Sequence, residues 1–263
     1  MKFYVTSDLH IDAYSIRRDF WNDFDKDAVL IIAGDVSNSL SGFNYVEHVL
    51  CKHFRVVIAI AGNHEWYSKK NLSARINSST FRKEYITNPS YTRVMKNSPI
   101  SKLKRHSAEI ENFIFLDNEA VEIDGFKIYG GTLWFPIHEY SDVQVSDYAL
   151  LMNDLKFINH RIIEEQHKSF INNLPHRVDL VISHHLPNIE AFAKSENITN
   201  AYTDFYHASL SDELVARARF WVAGHQHDSV EKQIANGNTT FISNPKGPIP
   251  MHQGLLKNKL YYL

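Results

Sequence analysis

Aspartate, histidine and one asparagine recur in this chain where apolar runs stop. Five segments carry them: Asp8-Leu9-His10, Gly34-Asp35, Gly62-Asn63-His64-Glu65, His184-His185 and Gly224-His225-Gln226-His227. Carboxylate, imidazole and amide oxygen make a mixed nitrogen and oxygen donor set, suited to transition metals and large enough for two ions. Two such ions side by side turn water into hydroxide and hold a phosphate ester next to it. Taken singly, each segment has an ordinary reading: Asp-x-His arises by chance, and Asp35 or Asn63 could cap a helix or turn. His225 and His227 could be polar loop residues. That reading has to hold five times over, always in residue types that a two-metal site requires.

The segments also share a structural position. Phe3–Thr6 leads into Asp8, Ala28–Ala33 into Asp35, Val56–Ala61 into Asn63, Val178–Ile182 into His184, and Phe220–Ala223 into His225. Short, nearly continuous apolar runs of this kind predict strands buried on both faces of a mostly parallel sheet. Ligand sites in open α/β sheets form at the carboxyl ends of the strands, so the five turns are expected at one edge. Gly34, Gly62 and Gly224 suit sharp turns close to a ligand. Ser15–Asp25 and Phe43–His53 read as crossover helices, and Leu150–Leu174 as one or two helices. Asn112–Trp134 has a strand rhythm, with Asp124-Gly125 as a hairpin turn, and predicts a second sheet. Thr239–Ser243 and Lys259–Leu263 read as strands joined through a loop at Asn244-Pro245-Lys246-Gly247. No internal repeat or low-complexity linker interrupts the sequence, so one domain over residues 1–263 is expected.

Composition narrows the classes. Apolar residues make up 44% of the chain and charged residues 22%, as in a globular protein with a sizeable core. A net charge of −2 gives no global attraction to nucleic acid or anionic membrane. Cys51 is the single cysteine, so an internal disulfide is impossible. The start shows no basic and apolar leader pattern, and the longest aliphatic runs are too short to span a bilayer. A soluble, cytoplasmic protein is the expectation. Lys69–Arg105 stands apart, with ten Lys or Arg and one acidic residue, Glu84, while His106–Asp124 carries six acidic residues and no Lys or Arg. The pair reads either as solvated surfaces that attract one another or as a basic cap for a polyanion.

In order and spacing the five segments resemble the calcineurin-like metallophosphoesterase superfamily. Gly130-Gly131-Thr132-Leu133-Trp134, Met152-Asn153-Asp154 and Asn244-Pro245-Lys246-Gly247 look like a bacterial, cytoplasmic branch of it. The resemblance implies an α/β fold, a four-layer α/β/β/α sandwich with two central mixed sheets and a dinuclear metal site at the strand ends. It assigns Asp8, His10 and His227 to one metal and Asn63, His184 and His225 to the other, with Asp35 bridging. His184 rather than His185 is then the ligand, and His185 becomes a substrate or outer contact. His64 is implied as the catalytic histidine that is not a ligand. Glu65 would orient His64 or be a surface turn residue, and Tyr67 and Trp134 would line the pocket or pack in an aromatic core. Where the family often has an Asp three residues beyond the bridging one, this chain has Asn38.

The expected reaction is hydrolysis of a phosphate mono- or diester, with metal-bridging hydroxide as nucleophile and His64 as general acid. Mixed N/O ligands suit Mn, Fe or Zn, and four histidines argue against Ca or Mg. A small-molecule ester is the expected substrate, with oligomeric state open. One alternative is a nuclease that holds nucleic acid on the basic 69–105 segment. A non-catalytic scaffold, as in the retromer-type member of the superfamily, is the other; it needs missing ligands, and here all seven are present together with His64.

Overall fold

A computed structural model describes residues 1–38, 40–67, 98–194, 202–247 and 258–263. Most of the basic segment, residues 69–97, lies outside the described residues. Five strands form the first sheet: β1 (Lys2–Thr6), β2 (Val29–Ile32), β3 (Val56–Ile60), β4 (Phe113–Leu116) and β11 (Tyr261–Tyr262). Their spatial order is β11-β1-β2-β3-β4, parallel except for β11. The second sheet contains β5 (Glu119–Ile123), β6 (Phe126–Gly130), β7 (Val178–Ile182), β8 (Ala218–Val222), β9 (Val230–Ile234) and β10 (Thr239–Ser243). Its order is β5-β6-β7-β8-β10-β9, with antiparallel strands at both edges.

Because side chains alternate along a strand, each sheet presents two apolar faces. Phe3, Val5, Val29, Ile31, Ile58 and Ile60 meet Ile128, Leu180, Ile182, Val222 and Ile242 between the sheets. Their neighbours Tyr4, Leu30, Ile32, Val57 and Ala59 point the other way, onto Trp21, Phe43, Leu50 and Leu103. On the far side Tyr129, Val181, Trp221 and Phe241 pack on Phe170, Leu174 and Val215. Two mixed sheets sandwiched by helices result, which is the expected α/β/β/α arrangement.

Some expectations need correction. Ser15–Asp25 is not a helix: only a 3-10 turn, Arg18–Trp21, forms there, while Trp21 and Phe24 serve as apolar anchors. Phe43–His53 is helical but broken, as Phe43–Tyr45, a π-helical turn Val46–Leu50, and Cys51–His53. Within Asn112–Trp134, β4 joins the first sheet, and only the hairpin β5–β6 belongs to the second. Asp124 and Gly125 turn that hairpin with φ of 52° and 79°, as a type I′ turn demands. Leu150–Leu174 contains the end of a helix Asp142–Leu151, a short helix Asp154–Phe157, and a long one, His160–Asn173. Strand β9 had no apolar run to announce it, since an edge strand buries little on either face.

Candidate metal centre

Backbone pairing carries the ligand turns beyond the strands. The amides of Asp8, His10 and Ile11 bond to the carbonyls of Gly34, Asp35 and Val36 at 3.0, 3.1 and 2.9 Å, so the first turn runs alongside the second. On its other side the loop after β10 is stitched to the same turn. Lys246 and Gly247 donate to the carbonyls of Ser7 and Asp8, and the Asn244 side chain donates to that of Val5. The Asn244-Pro245-Lys246-Gly247 motif thus closes the gap between the two sheets. The Gly130–Trp134 motif performs the matching task for β7, since the Thr132 carbonyl accepts from the amides of both His184 and His185.

Close approach explains two of the glycines. A Cβ on Gly62 would lie 2.1 Å from Asp35 Oδ1, and one on Gly224 would lie 2.7 Å from Asp8 Oδ2. Space that a methyl would fill is held open for both carboxylates. Several site residues take a left-handed backbone despite carrying side chains: Asp8 (φ 52°), His10 (41°), Asp35 (56°), His225 (66°) and His227 (57°). Each such residue costs on the order of 1 kcal/mol or more and persists only where its surroundings enforce it.

The side chains converge. Ligand atoms of Asp8, His10 and His227 lie within 4.8 Å of one another, as do those of Asp8, Asp35 and His184, and those of His10, Asp35 and His64. Asp35 sits centrally, with Oδ2 3.4 Å from His184 Nε2 and 3.8 Å from Nε2 of both His10 and His64. His227 Nε2 is 3.2 Å from Asp8 Oδ1, and Asn63 Oδ1 is 3.0 Å from His184 Nε2. The His225 ring packs 5.0 Å from that of His184 and 4.4 Å from that of His185. All seven residues assigned to the metals therefore meet in one place.

The electrostatics fit cations. Burial alone would push the Asp35 carboxyl up, yet His184, His64 and His10 hold it well below its usual range. Asp8 is likewise lowered, chiefly by His227 against the effect of burial. His184 and His227 move the opposite way, because Asp35 and Asp8 draw protons onto them in spite of burial. Two buried carboxylates thus recruit positive charge from the imidazoles, and metal ions would replace those protons. His225 Nε2 is buried with no hydrogen-bond partner. An imidazole donor left idle in this place suits a metal.

His64 lies against Asp35 but is anchored from behind. Its Nδ1 is 2.9 Å from Asn38 Oδ1, and Asn38 Nδ2 donates to the Asp12 carboxylate. Since a carboxylate only accepts, Asn38 must turn its oxygen to His64, whose Nδ1 then carries the proton. Nε2 is left facing the centre. Glu65 does not orient His64 and is not on the surface. It is wholly buried and accepts backbone N–H bonds from Asp35 (2.9 Å), Gly62 (2.7 Å) and Ser37 (3.1 Å). Burial and the nearby Asp35 push its carboxyl up to about 8.

His185 is sandwiched between the rings of Trp134 (4.8 Å) and His225 (4.4 Å), and burial holds it neutral. Trp134 is fully buried, so it packs rather than lines an open pocket. The Tyr67 hydroxyl is committed to Asp154 at 2.8 Å. Sequence reasoning quoted Asp154 within a motif but gave it no task, and it overlooked Asp12. The motif was the available signal for Asp154; Asp12 lies two residues beyond His10, but nothing in the sequence pairs it with Asn38.

A calcineurin-like phosphoesterase family model matches residues 1–229. The chain belongs to that family. This calcineurin-like phosphoesterase is accordingly a phosphoric ester hydrolase of a class that uses divalent metal ions. It is 27% identical over 271 residues to the uncharacterized protein L509 of Acanthamoeba polyphaga mimivirus, covering 88% of this chain and 86% of that one. In fold it is similar to the phosphopantetheinyl hydrolase PptH of Mycobacterium tuberculosis, with a TM-score of 0.66 at 14% identity over 94% of this chain and 89% of that one. The family model establishes the family and not a bacterial branch of it. Among the described residues no helix is long and apolar enough to cross a membrane.

Proposed function

We propose that this calcineurin-like phosphoesterase hydrolyses a small phosphate ester at a dinuclear centre. Asp8, His10 and His227 would hold one ion, Asn63, His184 and His225 the other, and Asp35 both. The observation that carries this reading is the central Asp35, whose Oδ2 lies within 3.8 Å of imidazole nitrogens from three different turns. A carboxylate there would offset the repulsion between two neighbouring dications. When bound, the ions neutralise phosphoryl oxygens and supply an activated water. Imidazole and carboxylate donors suit Mn, Fe or Zn.

The chain's own contribution to the chemistry centres on His64. Asn38 Oδ1 accepts the Nδ1 proton whether the ring is neutral or charged, so the exchanging proton is the one on Nε2. Delivered to the departing alkoxide oxygen, it contributes about 10²–10⁴-fold. The two sheets act as one unit in this reading, because the turns after β1, β2 and β3 supply four of the seven ligands and those after β7 and β8 the other three. The deciding experiment is metal analysis of the purified protein, followed by a panel of phosphate mono- and diesters assayed with Mn, Fe and Zn. Protein that binds no transition metal and turns over none of the panel would sink the proposal.

A further inference from the structure

Resting on that dinuclear reading, we propose that Asp154 is a positioning residue that fixes which end of the Asn63 amide faces the metals. Asn63 supplies the one amide among the proposed ligands, and an amide has two nearly isosteric orientations. Packing cannot choose between them; only hydrogen-bond partners can. One orientation presents an oxygen donor to a metal, and the other presents an N–H that cannot ligate.

Asp154 makes the choice. It is almost fully buried at the start of the short helix Asp154–Phe157, and Asn63 Nδ2 donates to its Oδ1 at 2.8 Å. The other amide hydrogen goes to the Tyr67 hydroxyl oxygen at 3.0 Å. Tyr67 in turn donates to Asp154 Oδ1, and Tyr148 donates to Oδ2, each at 2.8 Å. Burial and then Asp154 itself push both phenols up, so they remain protonated donors. A carboxylate held by three neutral donors can only accept. A flipped Asn63 would put its oxygen against that carboxylate and its N–H against His184 Nε2, now 3.0 Å from Oδ1. Tyr67 also stacks on Phe157 at 4.8 Å and lies 4.6 Å from the His64 ring, which makes helix, tyrosine and ligand one packed unit. The Met152-Asn153-Asp154 motif gains a task on this account, although Asp154 touches neither metal nor substrate.

A polarity swap tests it. Mn²⁺ binding would be followed by native mass spectrometry and calorimetry for wild type, Asp154→Asn, Asn63→Asp and the double variant, with thermal unfolding of each metal-free protein. A neutral amide at 154 can offer either end to Asn63, so Asp154→Asn should weaken one binding step about 10- to 100-fold and leave the other nearly unchanged. Asn63→Asp alone sets two carboxylates together and should also weaken binding. The double variant restores a donor facing an acceptor, with an oxygen still turned to the metals, and should recover affinity relative to both singles. Wild-type affinity in Asp154→Asn, equal weakening of both steps, or a double variant no better than the combined singles would overturn the inference. Wild type that fails to bind two ions would overturn the dinuclear reading instead.

Discussion

His10 and His227 keep 11% and 30% of their side-chain surface open, whereas His184, in the other proposed triad, keeps none. The outer triad, Asp8, His10 and His227, is aimed by its backbone, since all three residues have positive φ. In the inner one His225 is aimed the same way, with φ of 66°, while the other two lean on side-chain hydrogen bonds. Asn63 has an ordinary φ of −67° and is fixed by Asp154, while His184 Nδ1 lies 2.8 Å from the carbonyl of Ala33. The difference teaches how two donor sets of similar composition can be placed by different means. Where buried partners surround a side chain, as at Asn63 and His184, the backbone can stay relaxed; at buried Asp8 and His225, as at the more open His10 and His227, a strained turn does the aiming.

Removing the residue shared by the two triads should have the largest effect. Asp35→Ala should lose both ions and cut ester hydrolysis by more than about 100-fold. Asn63→Ala should weaken the inner ion and spare the outer one. Metal stoichiometry by mass spectrometry distinguishes the two outcomes. Two tightly bound ions in Asp35→Ala would erase the division into triads joined by one bridge.

His64 sits beside the outer triad without being spent on it, so its loss should be selective. His64→Ala is expected to retain both metals and to lose about 10²-fold or more on an alkyl phosphate ester. A nitrophenolate leaves well without a proton, so the loss on a nitrophenyl ester should be clearly smaller. Equal losses with metals intact would assign His64 to stabilising phosphoryl oxygens. Lost metals would make it a further member of the outer triad, a place its 3.8 Å distance to Asp35 Oδ2 would allow.

Legibility in the sequence followed the same division. Strands β1, β2, β3, β7 and β8 were readable because both faces are buried, and the ligands were readable because each closes such a run. Supports of the inner triad were not, because nothing in sequence spacing says that residue 154 meets residue 63. Glu65 was misread for a related reason: it follows His64 in sequence, but a tight 3-10 turn, His64–Trp66, sends it back onto the amides of Asp35 and Ser37. Ser15–Asp25 shows the opposite failure, in which apolar spacing anchored an irregular segment without making it helical.

An effect on stability rather than on turnover should appear in acid. The Gly130–Trp134 loop that supports His184 includes Leu133 and Trp134, both at positive φ, and the Leu133 carbonyl accepts from His167 Nδ1 at 3.2 Å. Burial pushes the His167 imidazole down to about 4. With its pKa depressed in the folded state, the ring favours the neutral form there. Its contribution is present above about pH 6.5 and is lost as pH falls toward 4, because the unfolded chain takes up the proton first. The full loss is about 3 kcal/mol. Urea unfolding of metal-free protein across pH 4–7 should show this slope, and His167→Gln should flatten it. An unchanged slope in the variant would detach the acid response from this loop.

The smallest effect is expected from the basic segment, where charge alone suggested a polyanion. The described end of the basic segment forms a helix, Pro99–Ser107, capped by Ser98, with Lys104, Arg105 and His106 in its last turn, where positive charge suits the helix dipole. Lys104 pairs with Glu119 at 2.7 Å, joining the basic stretch to the acidic one that follows it. At this described end, the basic and acidic stretches attract one another. Neutralising Lys69, Lys70, Arg82 and Lys83, which lie outside the described residues, should therefore change turnover of a small phosphate ester by less than about 2-fold. Turnover should also show the same flat dependence on salt as in wild type, since little of that charge is engaged with substrate. Oligonucleotides are the discriminating substrate. If they were cleaved by wild type and lost in the variant, most steeply at low salt, phosphate contacts would be in play, and the nuclease reading would replace that of a small-ester hydrolase.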